Sequence, residues 1–262
     1  MTILDEIVAH KRLELAEYKH SLPVEVLKDS EWYLRPGLSL ATRLKGSDTG
    51  IIAEFKRRSP SKGFINERAD VRQVVAGYEA YGASGISVLA DSWFFAGGYT
   101  YVQQARQVLR NTPLLFKEFV IDPYQVHLAK ASGADAVLLI ASILDAAASR
   151  ELACLAHELG LEVLYELYEP DELARIPEEA DMVGVNNRDL RTFRVDVDRA
   201  LGILRQVGDR HVKVAESGLS QVQTVRRLRA EGVRGFLMGE HFMSHARPAQ
   251  ALGQFIQQLH EE

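Results

Sequence analysis

The feature that most restricts what this chain can fold into is an eightfold alternation of two patterns. Strand-length apolar runs fall near Ile51 to Lys56, Gly85 to Asp91, Pro113 to Phe119, Ala134 to Ile140, Leu161 to Leu167, Met182 to Asn186, His211 to Ser217 and Gly235 to Gly239. After them come amphipathic helical patterns at Val71 to Tyr81, Tyr99 to Leu109, Pro123 to Ala131, Ala146 to Leu159, Glu169 to Ile176, Val197 to Val207, Gln221 to Ala230 and Pro248 to Leu259. Apolar runs bounded by turn residues read as parallel strands buried on both faces. Strands each followed by a helix, spaced about 25 to 30 residues apart, predict an α/β fold of the closed (β/α)8, or TIM, barrel type. An open doubly wound sheet is the alternative, but it rarely needs so many units. The 262 residues match the length of one such barrel, so 1–262 reads as a single barrel domain with 1–49 as an N-terminal helical extension.

The extension opens on Thr2-Ile3-Leu4-Asp5, an N-cap with an acid at the third helical position, and Ile3, Leu4, Ile7, Val8 and Leu15 roughly follow helical spacing. It would serve as a lid or as packing for the barrel's bottom, and the sequence favours neither. The start lacks a basic segment with an apolar core, and no apolar stretch approaches the roughly 18 residues of a membrane span. The expected location is therefore the cytoplasm, with no membrane partner. A net charge of -5 offers no electrostatic reason to expect nucleic acid. The lone Cys154 lies in a helical pattern and reads as small apolar packing.

In this fold the site forms where strands end and βα loops begin, so polar strand ends are the candidates. Strand 1 supplies Glu54 and Lys56, strand 2 Asp91, strand 3 Lys117 with Glu118, strand 5 Glu166, strand 6 Asn186, Asn187 and Arg188, and strand 7 Glu216 and Ser217. Strand 4 ends apolar and supplies wall. Period-two alternation sharpens the set. Ile52, Glu54 and Lys56 share one face; Leu115, Lys117 and Phe119 share another, with Leu114 and Phe116 outward; Leu164 pairs with Glu166 against Val163 and Tyr165. An interior holding Glu54, Lys56, Lys117 and Glu166 is costly unless those charges pair or are used in chemistry. The bland reading is ion pairs finishing the barrel top; charges from several strand ends weigh against it. Arg57, Arg58 and Lys62 read as solvated loop charge.

A phosphate cradle is expected opposite. Ser217-Gly218-Leu219-Ser220 follows strand 7 and Gly239-Glu240 follows strand 8, the loops that often bind phosphate in this fold, and Ser59 in the first loop would complete it. Glu240 counts against an anion unless its side chain turns away. The histidines show no metal-ligand spacing, so no metal is expected, and His241 reads as a rim residue. No dinucleotide, Walker-type or nucleophile-elbow motif occurs.

These residues resemble a known family. Ala53-Glu54-Phe55-Lys56-Arg57-Arg58-Ser59-Pro60-Ser61-Lys62-Gly63, Ser87-Val88-Leu89-Ala90-Asp91 with Phe95 and Gly97, Phe116-Lys117-Glu118-Phe119 running to Gln125, Ala134 to Ile140, Val185-Asn186-Asn187-Arg188-Asp189-Leu190 and Ala215-Glu216-Ser217-Gly218 occur in order at the strand ends, as in indole-3-glycerol phosphate synthases. The resemblance covers essentially the whole chain and implies the single-function form, since no second barrel follows. It implies conversion of 1-(2-carboxyphenylamino)-1-deoxyribulose 5-phosphate to indole-3-glycerol phosphate, carbon dioxide and water in tryptophan synthesis, with no cofactor. It also implies site roles. Lys117 would be the general acid for ring closure and Glu166 the base in dehydration. Lys56 would bind the substrate carboxylate and serve as a second acid; Glu54, Asn186 and Glu216 would orient groups and stabilise developing charge; Arg188 would add electrostatic support and Ser217 would contact hydroxyls. Ser59, Gly218, Gly239 and the backbone at Glu240 would hold phosphate, and Phe95 and Phe119 would pack the anthranilate ring. The expected partner is a small phosphosugar, acted on by a monomer or weak homo-oligomer.

The chain departs from the common family pattern at supporting positions: Phe55 for Ile, Ala90 for Thr, Phe116 for Arg and Glu118 for Asp. Parity faces Glu118 away from Lys117. Burial or nearby cations would lower the pKa of Lys117 and ease proton transfer. A phosphosugar isomerase or a Schiff-base aldolase on the same barrel is the alternative enzyme, and a ligand-binding barrel without turnover the alternative of a different class.

Overall fold

A computed structural model describes residues 2–189 and 192–261. Eight parallel strands close into a barrel: β1 (Ile51–Phe55), β2 (Gly85–Leu89), β3 (Leu114–Lys117), β4 (Ala136–Ile140), β5 (Glu162–Leu167), β6 (Met182–Asn186), β7 (Val212–Glu216) and β8 (Gly235–Met238). Each strand pairs with its neighbours in sequence and β8 returns to β1, with Ile52 opposite both Gly85 and Leu237. The fold is a TIM barrel. Most strands stop one or two residues short of the expected ends, so Lys56, Asp91, Phe119, Ser217 and Gly239 lie in the loops.

The alternation read from sequence is obeyed. Ile52, Leu115, Leu138, Leu164, Met182, Val214 and Leu237 pack together inside the barrel. Ile51, Phe55, Leu114, Phe116, Val163 and Tyr165 face the helical layer. Seven of the eight expected helices form; the segment after β5 tightens into a 3-10 helix, Pro170–Arg175, closed by a reciprocal Glu169/Glu172 capping box. Among the short elements not legible in the sequence are a hairpin and a helical turn. Arg58–Ser59 and Gly63–Phe64 pair as a small antiparallel hairpin in the first loop, and Glu240–Met243 forms one helical turn after β8.

The segment before the barrel covers both ends of it. Helix Leu40–Lys45 plugs the bottom, with Leu40 and Leu44 fully buried in the interior cluster. Gly85, the first residue of β2, leaves room for it: a Cβ there would lie 2.5 Å from Leu40 Cδ1. Buried Asp135 ties this end together by accepting from Arg106, from the amides of Leu38 and Leu114, and from Arg35. Helix Ile3–Ser21 instead crosses the top, started by the Thr2/Asp5 capping box expected from sequence. Its Glu14 accepts from Ser92, Tyr18 meets Tyr99 edge-on, and Lys19 pairs with Asp122 at 2.6 Å. Different parts of one extension therefore pack against the top and the bottom of the barrel. None of the described helices is long and apolar enough to cross a membrane.

Candidate active site

The strand ends and βα loops surround a cavity of about 460 Å³ at the top of the barrel, within the usual range for a small-molecule site. Of the residues expected from sequence, Glu54, Lys56, Ser59, Phe95, Lys117, Phe119, Glu166, Asn186, Arg188, Ser217, Gly218, Gly239 and Glu240 all line it. Glu216 does not. Its side chain lies buried beneath Lys117, with one carboxylate oxygen 3.4 Å from Nζ. Gly184, facing inward on β6, makes the space: a Cβ there would sit 2.1 Å from Glu216 Oε1.

The floor is a polar and charged network built from four strands. Lys117 Nζ lies 3.2 Å from Glu166 Oε2, and Asn186 Nδ2 donates to Glu166 Oε1 at 3.3 Å. Burial presses the pKa of Lys117 down, but Glu166, Glu216 and Glu54 together raise it well above the ordinary lysine value. The lowering expected from burial is thus reversed by the carboxylates, and Lys117 is a firm ammonium at neutral pH. Two carboxylates cannot both ionise cheaply beside one ammonium. Burial pushes both up; the ammonium and the donors on Glu166 bring that group below the usual range, while Glu216, buried beside an ionised neighbour, is held well above it. The floor therefore carries an ammonium, an ionised carboxylate and a protonated carboxyl.

Beside it, Glu54 Oε1 holds Lys56 Nζ at 2.8 Å, in space left by Gly239, where a Cβ would lie 2.5 Å from the same oxygen. An apolar wall closes one end. Phe95 and Phe119 face each other at 5.8 Å between ring centroids, tilted by 34°, and Leu138, Ile140, Ile3 and Ile7 extend the wall. Ile3 and Ile7, from the extension, and Phe193 and Val195, from the loop after β6, were missed in the sequence; only the helical spacing of the extension pointed to any of them.

The opposite end is made of small residues. Ser217 and Gly218 both adopt left-handed backbone, φ 67° and 70°, a conformation costly for serine by about 1–3 kcal/mol. Asn187 Nδ2 supports the turn by donating to Ser217 O at 2.8 Å. The helical turn Glu240–Met243, capped by Gly239, is the short extra helix that phosphate sites in this fold often carry. Glu240 turns its carboxylate to Arg188 at 3.2 Å and to Lys62 at 3.8 Å. Arg57 stacks over Tyr101 and Arg58 over Phe64, both as loop structure. His241 lines the rim, its imidazole pushed down by burial. Leu190, the last residue of the motif after β6, lies outside the described residues. Among the described residues, Glu14, Asp91 and Glu118 have metal-like spacing. Lys11 Nζ already sits among them, 2.9 Å from Asp91 and 3.0 Å from Glu118, in the place a cation would take.

A family model described as indole-3-glycerol phosphate synthase matches residues 4–255. The indole-3-glycerol phosphate synthase of Bacteroides thetaiotaomicron is 44% identical over 98% of both chains. The chain belongs to the indole-3-glycerol phosphate synthase family. The synthase of the same name from Chromobacterium violaceum is 40% identical over 97% of both chains. Among solved structures, thiamine phosphate pyrophosphorylase from Pyrococcus furiosus superposes with a TM-score of 0.60 at 18% identity, over 85% of this chain and all of that one. That likeness is of fold alone. The departures from the common family pattern fall outside the charge network: Phe55, Ala90 and Phe116 pack outward in the helical layer, and Glu118 turns to Lys11.

Proposed function

We propose that this protein is an indole-3-glycerol phosphate synthase, closing, decarboxylating and dehydrating 1-(2-carboxyphenylamino)-1-deoxyribulose 5-phosphate without a cofactor. The observation that carries this reading is the Lys117–Glu166 contact of 3.2 Å, a protonated acid against an ionised base between an aryl-sized wall and a small-residue loop end. In ring closure the ring carbon bearing the carboxylate bonds to the sugar carbonyl carbon while Lys117 donates a proton to the carbonyl oxygen. Carbon dioxide leaves, its bonding electrons returning to the ring. The new hydroxyl then departs as water with a proton from Lys56, the second acid, and Glu166 takes the proton whose loss makes the five-membered ring aromatic.

The other roles follow the geometry. Lys56, held by Glu54, binds the substrate carboxylate; Asn186 steadies Glu166; Glu216, which does not reach the cavity, acts through Lys117 as a positioning residue. Arg188 and Ser217 meet the sugar chain, and Phe95 and Phe119 enclose the ring. Ser59, Gly218, Gly239 and the backbone at Glu240 hold phosphate, the Glu240 carboxylate being neutralised by Arg188 and Lys62. As part of the same reading the enzyme works in the cytoplasm on a small phosphosugar, with no nucleic-acid or membrane partner, as a monomer or weak homo-oligomer.

A Schiff-base aldolase needs a neutral lysine amine, which the ionised Glu166 beside Lys117 and the nearby Glu54 oppose. The deciding experiment is fluorescence-monitored formation of indole-3-glycerol phosphate with chelator and no added cofactor, for wild type and Lys117→Ala. Turnover by the wild type, with about 10²- to 10⁴-fold loss in a folded variant, is expected. Near-normal kcat in Lys117→Ala would remove it as the acid. Tight substrate binding without wild-type turnover would move the protein to the binding class, and borohydride trapping at Lys117 to the aldolase class.

A further inference from the structure

Lys11 is the least expected charge in the molecule. It lies in helix Ile3–Ser21, ahead of the barrel, yet its side chain is only 1% exposed. Three carboxylates surround it: Asp91 Oδ2 at 2.9 Å, Glu118 Oε2 at 3.0 Å, and Glu14. Buried charge of this density is tolerated only when it is paired and its remaining lone pairs are satisfied. The satisfying groups are informative. The second oxygen of Asp91 accepts from the amides of Phe94 at 2.7 Å and Phe95 at 3.2 Å, and the second oxygen of Glu118 accepts from the amide of Phe119 at 2.7 Å. Asp91 and Glu118 thus each have one oxygen on Lys11 and the other on the backbone of a residue whose ring forms the cavity's aromatic wall.

We propose that Lys11 is a positioning residue for the aryl end of the cavity: one ammonium sets the separation of Phe95 and Phe119 by gripping the two carboxylates that hold their backbones. This rests on the reading of the site as one for an aryl-substituted phosphosugar, and extends it to a residue that touches no substrate. Ile7, one turn before Lys11 on the same helix face, itself lines the cavity, so the ammonium also fixes how far that face stands from the rings. Burial pushes the Glu118 carboxyl up to about 7, and Lys11 opposes the rise. Without Lys11, Glu118 would keep its proton and Asp91 would lose its cation, leaving the two loops no common anchor.

A merely structural clamp predicts that its loss weakens every ligand alike; a positioning role predicts that only the ring end suffers. The test is calorimetric titration of indole-3-glycerol phosphate, and of glycerol 3-phosphate as the same tail without the ring, into wild type, Lys11→Met and Glu118→Gln, with thermal melts as a check on folding. Lys11→Met is expected to lose about ten-fold or more in affinity for the indole compound, since displacement of about an ångström is felt this strongly at a site, and to bind glycerol 3-phosphate as the wild type does. Glu118→Gln keeps the oxygen on the Phe119 amide and leaves Lys11 on Asp91, so its loss for the indole compound should be about two- to five-fold, with the same selectivity. Equal losses for both ligands, or wild-type affinity of Lys11→Met for the indole compound, would overturn the inference. Should Lys11→Met not fold, unchanged indole affinity in Glu118→Gln overturns it alone. Wild-type protein that binds glycerol 3-phosphate but not the indole compound would sink the functional reading and this inference with it.

Discussion

The two carboxylates beside Lys117 should respond in opposite ways to the same isosteric change. Glu166 and Glu216 lie 3.2 and 3.4 Å from the one ammonium, and at an effective dielectric of about 20 either unit-charge contact corresponds to about 5 kcal/mol of Coulomb energy. Geometry alone would therefore rank them equal. Their protonation does not: Glu166 is held ionised and Glu216 protonated. Glu216→Gln replaces a neutral carboxyl by a neutral amide, whose oxygen faces Lys117 and whose NH₂ replaces the lost O–H donor. Its kcat/KM should stay within about ten-fold of wild type, a change of about 1.4 kcal/mol or less. Glu166→Gln removes the charge that stabilises the ammonium and also the base, and should lose about 10²- to 10⁴-fold in kcat. The assay is product fluorescence from pH 6 to 9, with melts to exclude unfolding. A loss of about 100-fold or more in folded Glu216→Gln would mean that Glu216 carries charge in the working enzyme, and the proton inventory of the floor would be wrong.

Glu118, pushed up to about 7 by burial against the pull of Lys11, holds a proton in the folded chain between about pH 4.5 and 7, where the unfolded chain has released it, and ionises onto Lys11 above that; the proton's contribution to stability is complete below pH 4.5 and disappears as pH rises through 7, a fall of about 3 kcal/mol. Denaturant titrations at pH 5 and 8 should show this decline, and its persistence in Glu118→Gln would assign it elsewhere. Gly239→Ala should drive a methyl into Glu54, 2.5 Å from its Oε1, costing about 1–3 kcal/mol of stability and raising KM by displacing Lys56; unchanged kinetics would show that the Lys56–Glu54 contact is not needed. Leu44→Ala, at the bottom plug and fully buried, should cost about 2–5 kcal/mol in chemical denaturation while kcat of the folded fraction stays near wild type, because the site lies at the other end of the barrel.

The sequence by itself determined the barrel, because the alternation that buries Ile52, Leu115 and Leu164 is a local property of each run and the same period turns Glu54, Lys117 and Glu166 inward wherever the strands close. It also determined the start of the extension, since a capping box is settled within four residues. Local pattern could not place Glu216, which has the inward parity of a cavity residue but lies beneath Lys117, because the space for it is a missing Cβ on the neighbouring strand at Gly184. Nor could it place the extension, whose helices touch opposite ends of the barrel through residues about a hundred positions away: Lys11 on Glu118 at the top, and Arg35 on Asp135 at the bottom. Which carboxylate keeps the proton was decided by tertiary structure alone. Protonation follows from the burial and neighbours of each group, and the neighbours of Glu166 and Glu216 come from strands that meet only when the barrel closes.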